Sequence, residues 1–338
     1  ALRQKDDLES KMIGQSTVFR TLISQLDKVT KSNGRVMLTG ASGTGKEVAA
    51  RFIHGQSDRA SAPFVVVNCA AIEPDQMERV LFGQESSDKG ITEGLLEQAN
   101  QGVVYFDEVA DMPLVTQSKI LRVLVDQRFQ RVGGTENVNV DLRVISSTSR
   151  DLNREIAEKS FREELFHRLN VVPISVPSLE ERREDIPLLA EHFIAEFNTS
   201  QGLPQRALTE DAVALMQTMV WPGNVRQLKN LVERVLILGD GTGPIEAREL
   251  PGEEESSNEE GRVVLSGALA TLPLREAREA FEREYLLTQI NRFGGNISRT
   301  ANFVGMERSA LHRKLKSLGV VTSAKAGARV AHVEEGDG

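Results

Sequence analysis

Val36-Met37-Leu38-Thr39-Gly40-Ala41-Ser42-Gly43-Thr44-Gly45-Lys46-Glu47 decides how this chain is read. Its first four residues form an apolar strand signal that runs into a loop with glycines at 40, 43 and 45, and a helical pattern begins at Lys46. The spacing is GxxxxGK in a strand–loop–helix context. Glycine lets consecutive backbone N–H groups curl around one anion, the helix N-terminus adds partial positive charge, and Lys46 supplies a point charge for terminal phosphates. Glu47 stands where a Ser or Thr usually follows the lysine, so a hydroxyl for Mg²⁺ has to come from Thr44 or from water. A glycine-rich turn without a ligand is the plain alternative, and the coincidence of strand, loop, lysine and helix argues against it.

A second run, Val103-Val104-Tyr105-Phe106-Asp107-Glu108, is a buried strand ending in two carboxylates. Asp107 is suited to hold Mg²⁺ through water and Glu108 to polarise an attacking water. Alone, such an ending is usually a solvated strand end. Placed about sixty residues after a phosphate loop, it makes Mg²⁺-dependent ATP hydrolysis the default expectation.

Around this pair the chain alternates. Short Val/Ile/Leu/Phe runs are predicted as strands at Arg35–Thr39, Phe64–Val67, Val103–Phe106, Leu142–Ser146 and Val171–Val176, with helical segments between them such as Lys46–His54 and Thr116–Asp126. Near-continuous apolar strands alternating with helices predict an α/β fold with a parallel sheet covered on both faces. After Pro177 the strand signal stops, and Ile186–Phe197, Glu210–Met219 and Val225–Leu238 read as helices. The expected organisation is a linker at 1–12, an α/β unit at 13–177, a helical unit at 178–250, an acidic linker at 251–271, a second all-helical unit at 272–321 and a disordered tail at 322–338. The stretch PGEEESSNEEG at 251–261 is glutamate-rich and lacks apolar residues, as a solvated linker does.

Composition agrees with a folded, water-soluble chain. The 338 residues are 40% apolar and 27% charged, with a formal net charge of −8. That acidity alone does not suggest a nucleic-acid partner. The single cysteine, Cys69, excludes an internal disulfide and any multi-cysteine metal site, and its place at the end of an apolar strand reads as an inert buried thiol. The five histidines show no metal-ligand spacing. No apolar run approaches the ~18 residues that span a bilayer, and no signal peptide opens the chain, so a cytoplasmic location without membrane contact is expected.

These residues resemble the AAA+ ATPases of bacterial enhancer-binding proteins, the sigma-54 activator family. The likeness spans about residues 10–320. It is carried by Ile13-Gly14-Gln15-Ser16, Gly40–Glu47, Pro63–Ala71, Leu81-Phe82-Gly83, Tyr105–Pro113, Phe161–Leu169, Arg182–Pro187 and Trp221–Leu228. It also accounts for Glu47, because the family carries GKE in its phosphate loop. The resemblance implies a helical lid after the sheet and a nucleotide site that includes Ile13, Gly14, Gly40, Ser42, Gly43, Thr44, Gly45, Lys46, Glu47 and Asp107. It implies that Asn68 is a switch acting on Glu108, that Thr148 is a sensor with Ser149 where the family usually has Asn, and that Arg162 and Arg168 are arginine fingers for a neighbouring subunit. Arg226 falls at the second, lid-borne sensor. From the residues alone, surface ion pairing with Glu163 or Glu164 is the plain alternative for Arg162 and Arg168.

One segment departs from the family. Its sigma-factor-contacting GAFTGA loop is missing from Leu81–Gly94, which reads LFGQESSDKGITEG, and no aromatic residue lies between Phe82 and Tyr105. A polar tip without an apolar anchor cannot make the same contact. The expectation is a regulator that does not remodel sigma-54 polymerase in the usual way. This shortening resembles the NtrX-like response regulators of nitrogen-related signalling, and it implies a preceding receiver domain addressed by a sensor kinase, with RNA polymerase as a further contact.

The last helical unit carries a helix-turn-helix signature. Helical spacing of Leu274, Ala277, Phe281 and Tyr285 is followed by Gly294-Gly295-Asn296, a helix at Ile297–Phe303, a turn at Gly305 and a helix from Glu307 to Leu318. It resembles the Fis-type domain of the same family, which pairs with a second copy. Between Arg292 and Lys316 the balance is +5 (six basic residues, one acidic), against −8 for the chain. Arg299, Arg308, Ser309, His312 and Arg313 are expected at the groove of double-stranded promoter DNA, with Lys314 and Lys316 nearer phosphates. Two function classes remain open from the sequence. One is an ATP-hydrolysing transcription regulator that works as a homodimer or ring. The other is a DNA-binding regulator whose nucleotide site is a switch with little turnover.

Overall fold

The structure is a computed structural model that describes residues 11–86, 90–239, 243–250 and 274–318. The acidic linker expected at 251–271, the tail at 322–338 and the loop tip Ser87-Asp88-Lys89 lie outside the described residues. The chain divides into two compact units, one of residues 1–179 with 223–228 and the other of 180–222 with 229–338.

In the first unit, α1 (Thr17–Thr30) starts where the Ser16 side chain accepts the Phe19 N–H at 3.3 Å. There follow β1 (Val36–Thr39), α2 (Lys46–Gly55), β2 (Phe64–Asn68), α3 (Met77–Phe82), β3 (Gln84–Ser86), β4 (Gly90–Thr92) and α4 (Leu95–Gln98). Then come β5 (Val103–Asp107), α5 (Leu114–Asp126), β6 (Arg128–Gln130), β7 (Asn137–Asn139), β8 (Arg143–Thr148), α6 (Leu152–Ala157), α7 (Glu163–Leu169) and β9 (Val172–Ser175). Five strands form the expected parallel sheet, in the order β2-β5-β8-β1-β9.

Alternation along the strands divides the core into two layers. Met37, Val104, Phe106 and Val144 pack on one face with Leu81, Phe82, Ile120 and Leu165. Val36, Leu38, Val103, Tyr105 and Ile145 pack on the other with Phe19, Leu26, Ala50 and Ile53. Pro173, which has no N–H to give a ladder, sits in β9 at the sheet edge. Strand pairing runs past the apolar residues that announce it. Asn68 aligns with Asp107 and Thr39 with Thr148, because ladder bonds use the backbone and ignore side-chain polarity. The polar strand ends therefore gather along one edge, where open parallel sheets bind their ligands.

Two small hairpins have no counterpart in the sequence reading. β3 pairs with β4 and β6 with β7, and the two hairpins interlock: Glu85 N–H donates to Val132 O at 2.9 Å and Val132 N–H to Gly83 O at 3.0 Å. Arg131 adds a two-pronged bond to Glu97 at 2.8 and 2.7 Å. The first hairpin is thus tied by its base to the next one.

The second unit is helical among its described residues. It contains α8 (Ile186–Gln201), α9 (Glu210–Thr218) and most of α10 (Asn224–Leu238), then α11 (Leu274–Arg292), α12 (Ile297–Phe303) and α13 (Arg308–Ser317). Leu286, Ile290, Ala301, Leu311 and Leu315 form the core of the last three helices. Trp221 is 1% exposed and its indole N–H donates to Met216 O at 2.9 Å, which makes it a packing residue. As the sole tryptophan, it reports on this unit alone. Native fluorescence should be blue-shifted and resistant to iodide quenching, and should move red only as the helical unit melts; early iodide access would contradict the packing.

Candidate functional site: a phosphate loop at the sheet edge

The phosphate loop leaves β1 and enters α2. Gly43 and Gly45 hold left-handed backbone, with φ of 77° and 100°. A Cβ on Gly43 would lie 2.2 Å from the Gly223 carbonyl oxygen, while one on Gly45 would meet nothing within 4 Å. Gly43 is therefore fixed by conformation and by close packing, and Gly45 by conformation beside open space. This curled main chain at a helix N-terminus suits a phosphate chain.

Residues Gly223–Arg226 fold onto the same loop. Asn224, itself left-handed at φ 50°, accepts the Leu179 N–H at 2.8 Å through Oδ1 and donates to Ser42 O at 3.0 Å through Nδ2. Arg226 N–H donates to Gly43 O at 3.2 Å, and its Nη1 donates to Ser42 Oγ at 3.3 Å. Arg226 thus stands at the loop. Asn224 was missed, and the left-handed tendency of asparagine after Pro-Gly was its available signal.

Lys46 is 6% exposed, and its ammonium donates to Gly40 O at 2.9 Å and Ala41 O at 3.3 Å. It also pairs with Glu108 Oε1 at 3.1 Å. Thr44 is buried and its hydroxyl donates to Ala41 O at 2.9 Å. Glu47 turns aside to Arg51, at 2.8 Å. Ile13 and Gly14 are half-buried just ahead of the α1 cap.

Asp107 ends β5 and Glu108 follows it. Asp107 Oδ1 accepts the Tyr105 hydroxyl at 2.8 Å and the Ser147 hydroxyl at 2.6 Å, which fixes the carboxylate plane while Oδ2 has no partner among the described residues. Such a carboxylate suits a hard cation that takes its other ligands from phosphates and water. Glu108 turns into left-handed backbone at φ 51°, ψ 56°, an uncommon conformation for a side-chain-bearing residue. Its N–H donates to Ser147 Oγ at 3.2 Å, and its Oε2 accepts both the N–H and the hydroxyl of Ser149 at 2.8 Å. Burial works against the charged form, but the Ser149 bonds, followed by Lys46, outweigh it and hold the Glu108 carboxyl below the usual carboxylate range.

Two expected partners of this site are placed differently. Asn68 Oδ1 accepts Ala70 N–H at 3.1 Å in its own turn, and no bond joins Asn68 to Glu108 among the described residues. Thr148 is buried, and its hydroxyl is spent on Arg150, donating to O at 3.3 Å and accepting N–H at 3.1 Å. Ser149, Ser147 and Tyr105, named for no contact beforehand, make the contacts instead. Arg162 and Arg168 are exposed, and neither makes an ion pair among the described residues. Glu163 instead sits 3.6 Å from His167.

In the last three helices, Leu311 and Leu315 turn inward while Arg308, Ser309, His312, Arg313 and Lys316 are exposed on α13. Arg308, Ser309 and His312 line an open depression of ≈ 860 Å³ with Ala301, Asn302 and Gly305. Arg299 is exposed, 4.0 Å from Glu184. Lys314 is ion-paired with Glu282. Arg292, counted in the basic balance, is 7% exposed, stacked on Phe303 at 4.3 Å and bonded to Gln217 at 3.0 Å, so its charge does not belong to the exposed face.

Comparison with known proteins assigns all three parts. Residues 12–175 match the sigma-54 interaction domain, 180–264 the AAA+ ATPase lid domain and 277–318 the bacterial regulatory protein Fis family. These define an AAA+ transcription regulator with a lid and a Fis-type helix-turn-helix. The nitrogen assimilation regulatory protein NtrX of Azorhizobium caulinodans is 54% identical over 317 residues, 91% of this chain and 69% of that protein. A putative NtrX-like response regulator of Rickettsia felis is 40% identical, over 94% of this chain and 69% of its own length. The crystal structure of NtrX from Brucella abortus in complex with ATP is 52% identical, with a TM-score of 0.82, covering 94% of this chain and 72% of that one. The chain belongs to the sigma-54 activator family, in its NtrX-like branch.

No helix among the described residues is long and apolar enough to cross a membrane. Cys69 is 2% exposed, and burial, then the charges of Asp107, Asp111 and Glu108, push its thiol up to about 12. A thiol so far above neutral pH stays protonated and unreactive. At pH 8 a colourless-to-coloured disulfide reagent should find no fast thiol in the native protein and one after denaturation; rapid native labelling would contradict this burial.

Proposed function

We propose that this chain is an ATP-hydrolysing, promoter-binding regulator of a two-component system in nitrogen-related signalling, whose turnover depends on assembly of several copies. The observation that carries the proposal is the meeting of Lys46 of the phosphate loop with Glu108 at 3.1 Å, next to Asp107 at the end of β5. In this reading the curled backbone of Gly40–Lys46 and Arg226 hold the phosphates. Asp107, with Thr44 or water, holds Mg²⁺, which neutralises charge developing on the phosphates when bound. Glu108 orients and polarises the attacking water. Arg162 and Arg168 are exposed and without carboxylate partners among the described residues, with Arg162 Nε donating to Leu114 O at 3.3 Å, and are available to a neighbouring copy. A finger supplied in trans is worth about 10³–10⁵-fold in related NTPases, so activity should follow assembly. The Brucella abortus NtrX structures in complex with ATP and with ADP support nucleotide binding here.

The output differs from that of enhancer-binding proteins with a full remodelling loop. Lacking GAFTGA, and with the loop base bonded to the next hairpin, the chain is proposed to work on DNA without remodelling sigma-54 polymerase. Exposed Arg299, Arg308, Ser309, His312, Arg313 and Lys316 supply the DNA face. The second reading, a nucleotide switch with little turnover, is favoured by that same missing loop, since hydrolysis then has no evident mechanical use.

ATPase rate per subunit, measured against protein concentration, separates the two. The hydrolytic reading predicts a steep rise with concentration that Arg162→Ala and Arg168→Ala abolish; a flat, negligible rate equal to that of Glu108→Gln supports the switch. For the DNA face, Arg313→Ala should weaken operator binding roughly 5–100-fold in gel shift and reduce the slope against log salt by about one. Unchanged affinity and slope would remove Arg313 from the interface.

A further inference from the structure

We propose that Ser149 is the positioning residue for Glu108: it anchors one carboxylate oxygen to the end of β8 and leaves the other aimed where Lys46 would meet phosphate. The inference rests on the hydrolysis reading above and deepens it.

The sheet order offers Glu108 two neighbours, because β5 lies between β2 and β8. On the β2 side Asn68 is level with Asp107, but its Oδ1 holds the Ala70 N–H at 3.1 Å. On the β8 side Ser147 lies in the strand, buried, and Ser149 follows the strand's last residue, Thr148. Ser147 receives the Glu108 N–H at 3.2 Å, and Ser149 gives two donors to Glu108 Oε2 at 2.8 Å each. Main chain and carboxylate are thus fastened to the end of β8 and the residue that follows it.

The remaining oxygen explains why this matters. Oε1 faces the Lys46 ammonium at 3.1 Å, and that ammonium is shared with the loop carbonyls of Gly40 and Ala41. A phosphate competing for Lys46 frees Oε1 without moving Oε2. The freed oxygen then points into the phosphate site with little rotation left to lose, which is how preorganisation contributes to rate. A side chain one carbon long suits the task. Its hydroxyl and its own N–H converge on the same oxygen, a clamp that a longer amide side chain at this position would not reproduce in the same way.

Ser149→Ala removes the hydroxyl and leaves the N–H. Loss of one hydrogen bond to a charged group predicts a kcat lower by about tenfold or more. ATP affinity by calorimetry should stay within about twofold, since Ser149 does not touch the loop, and Ser149→Thr, which keeps a hydroxyl, should restore most of the rate. A kcat that is unchanged or raised in Ser149→Ala overturns the proposal, as does a loss of kcat that Ser149→Thr fails to recover. The contact has its own readout. The Ser149 amide proton, donating to a carboxylate, should resonate downfield in the NMR spectrum, move upfield in Glu108→Ala but not in Asn68→Ala, and stay downfield with Mg²⁺ and a non-hydrolysable ATP analogue. Insensitivity to Glu108→Ala, or loss of the shift on analogue binding, overturns the anchor. If the wild-type protein binds ATP yet turns it over no faster than Glu108→Gln, the hydrolysis reading fails, and the amide signal alone decides whether Ser149 holds Glu108.

Discussion

A lysine ammonium 3.1 Å from a glutamate carboxylate joins the phosphate loop to the end of β5, and the order of the sheet edge follows from it. Both groups are drawn out of bulk water, and each is affordable there only because the other and several polar neighbours are present. Lys46 is satisfied by two loop carbonyls as well as by Glu108. Glu108 is satisfied by Ser149 and reaches that position through a left-handed backbone turn. Strain at one residue is held by four hydrogen-bonding partners. Interactions of this kind concentrate where a protein must keep charged groups ready for a ligand.

The second constraint lies around the β3–β4 hairpin. Its base is bonded to the β6–β7 hairpin, and Arg131 bridges to Glu97 with both groups largely buried. A loop that pushes on a partner needs reach and an apolar tip. Short strands, backbone bonds to a neighbour and a polar sequence supply neither. The family scaffold is retained, and the motif GAFTGA is absent from the sequence at 81–94; for that reason the function proposed places the output on DNA rather than on polymerase.

Much of the fold was legible because its signals are strong and local. Apolar runs at Val36–Leu38, Val103–Phe106 and Val144–Ile145 announced the central strands, and glycine spacing at 40, 43 and 45 announced the loop. The helix-turn-helix was marked by Gly294, Gly295 and Gly305, with the helix Ile297–Phe303 found at its expected bounds. What stayed hidden was short, polar or long-range. The hairpins at Gln84–Thr92 and Arg128–Asn139 are three-residue strands with little apolar content, and their pairing is set by tertiary contacts. Asn68 ends β2 and Glu108 follows the adjacent β5, yet whether a side chain turns to its neighbour or to its own turn depends on a single Asx hydrogen bond. Ser149, weighed only as a departure from the usual asparagine, proved to be the residue in contact. Arg292 counted as a basic residue in the sequence but is consumed by Phe303 and Gln217, a loss that no charge tally can see.

The central claim is that the curled backbone at Gly43–Lys46 grips the phosphates of a nucleotide, with Lys46 passing from Glu108 to the ligand. Isothermal titration of the purified chain with ATP and Mg²⁺ tests it most directly. The account predicts saturable binding, one nucleotide per chain, that Lys46→Ala abolishes and Glu108→Gln preserves. Absence of heat with the wild-type protein, or equal affinity in Lys46→Ala, would contradict it.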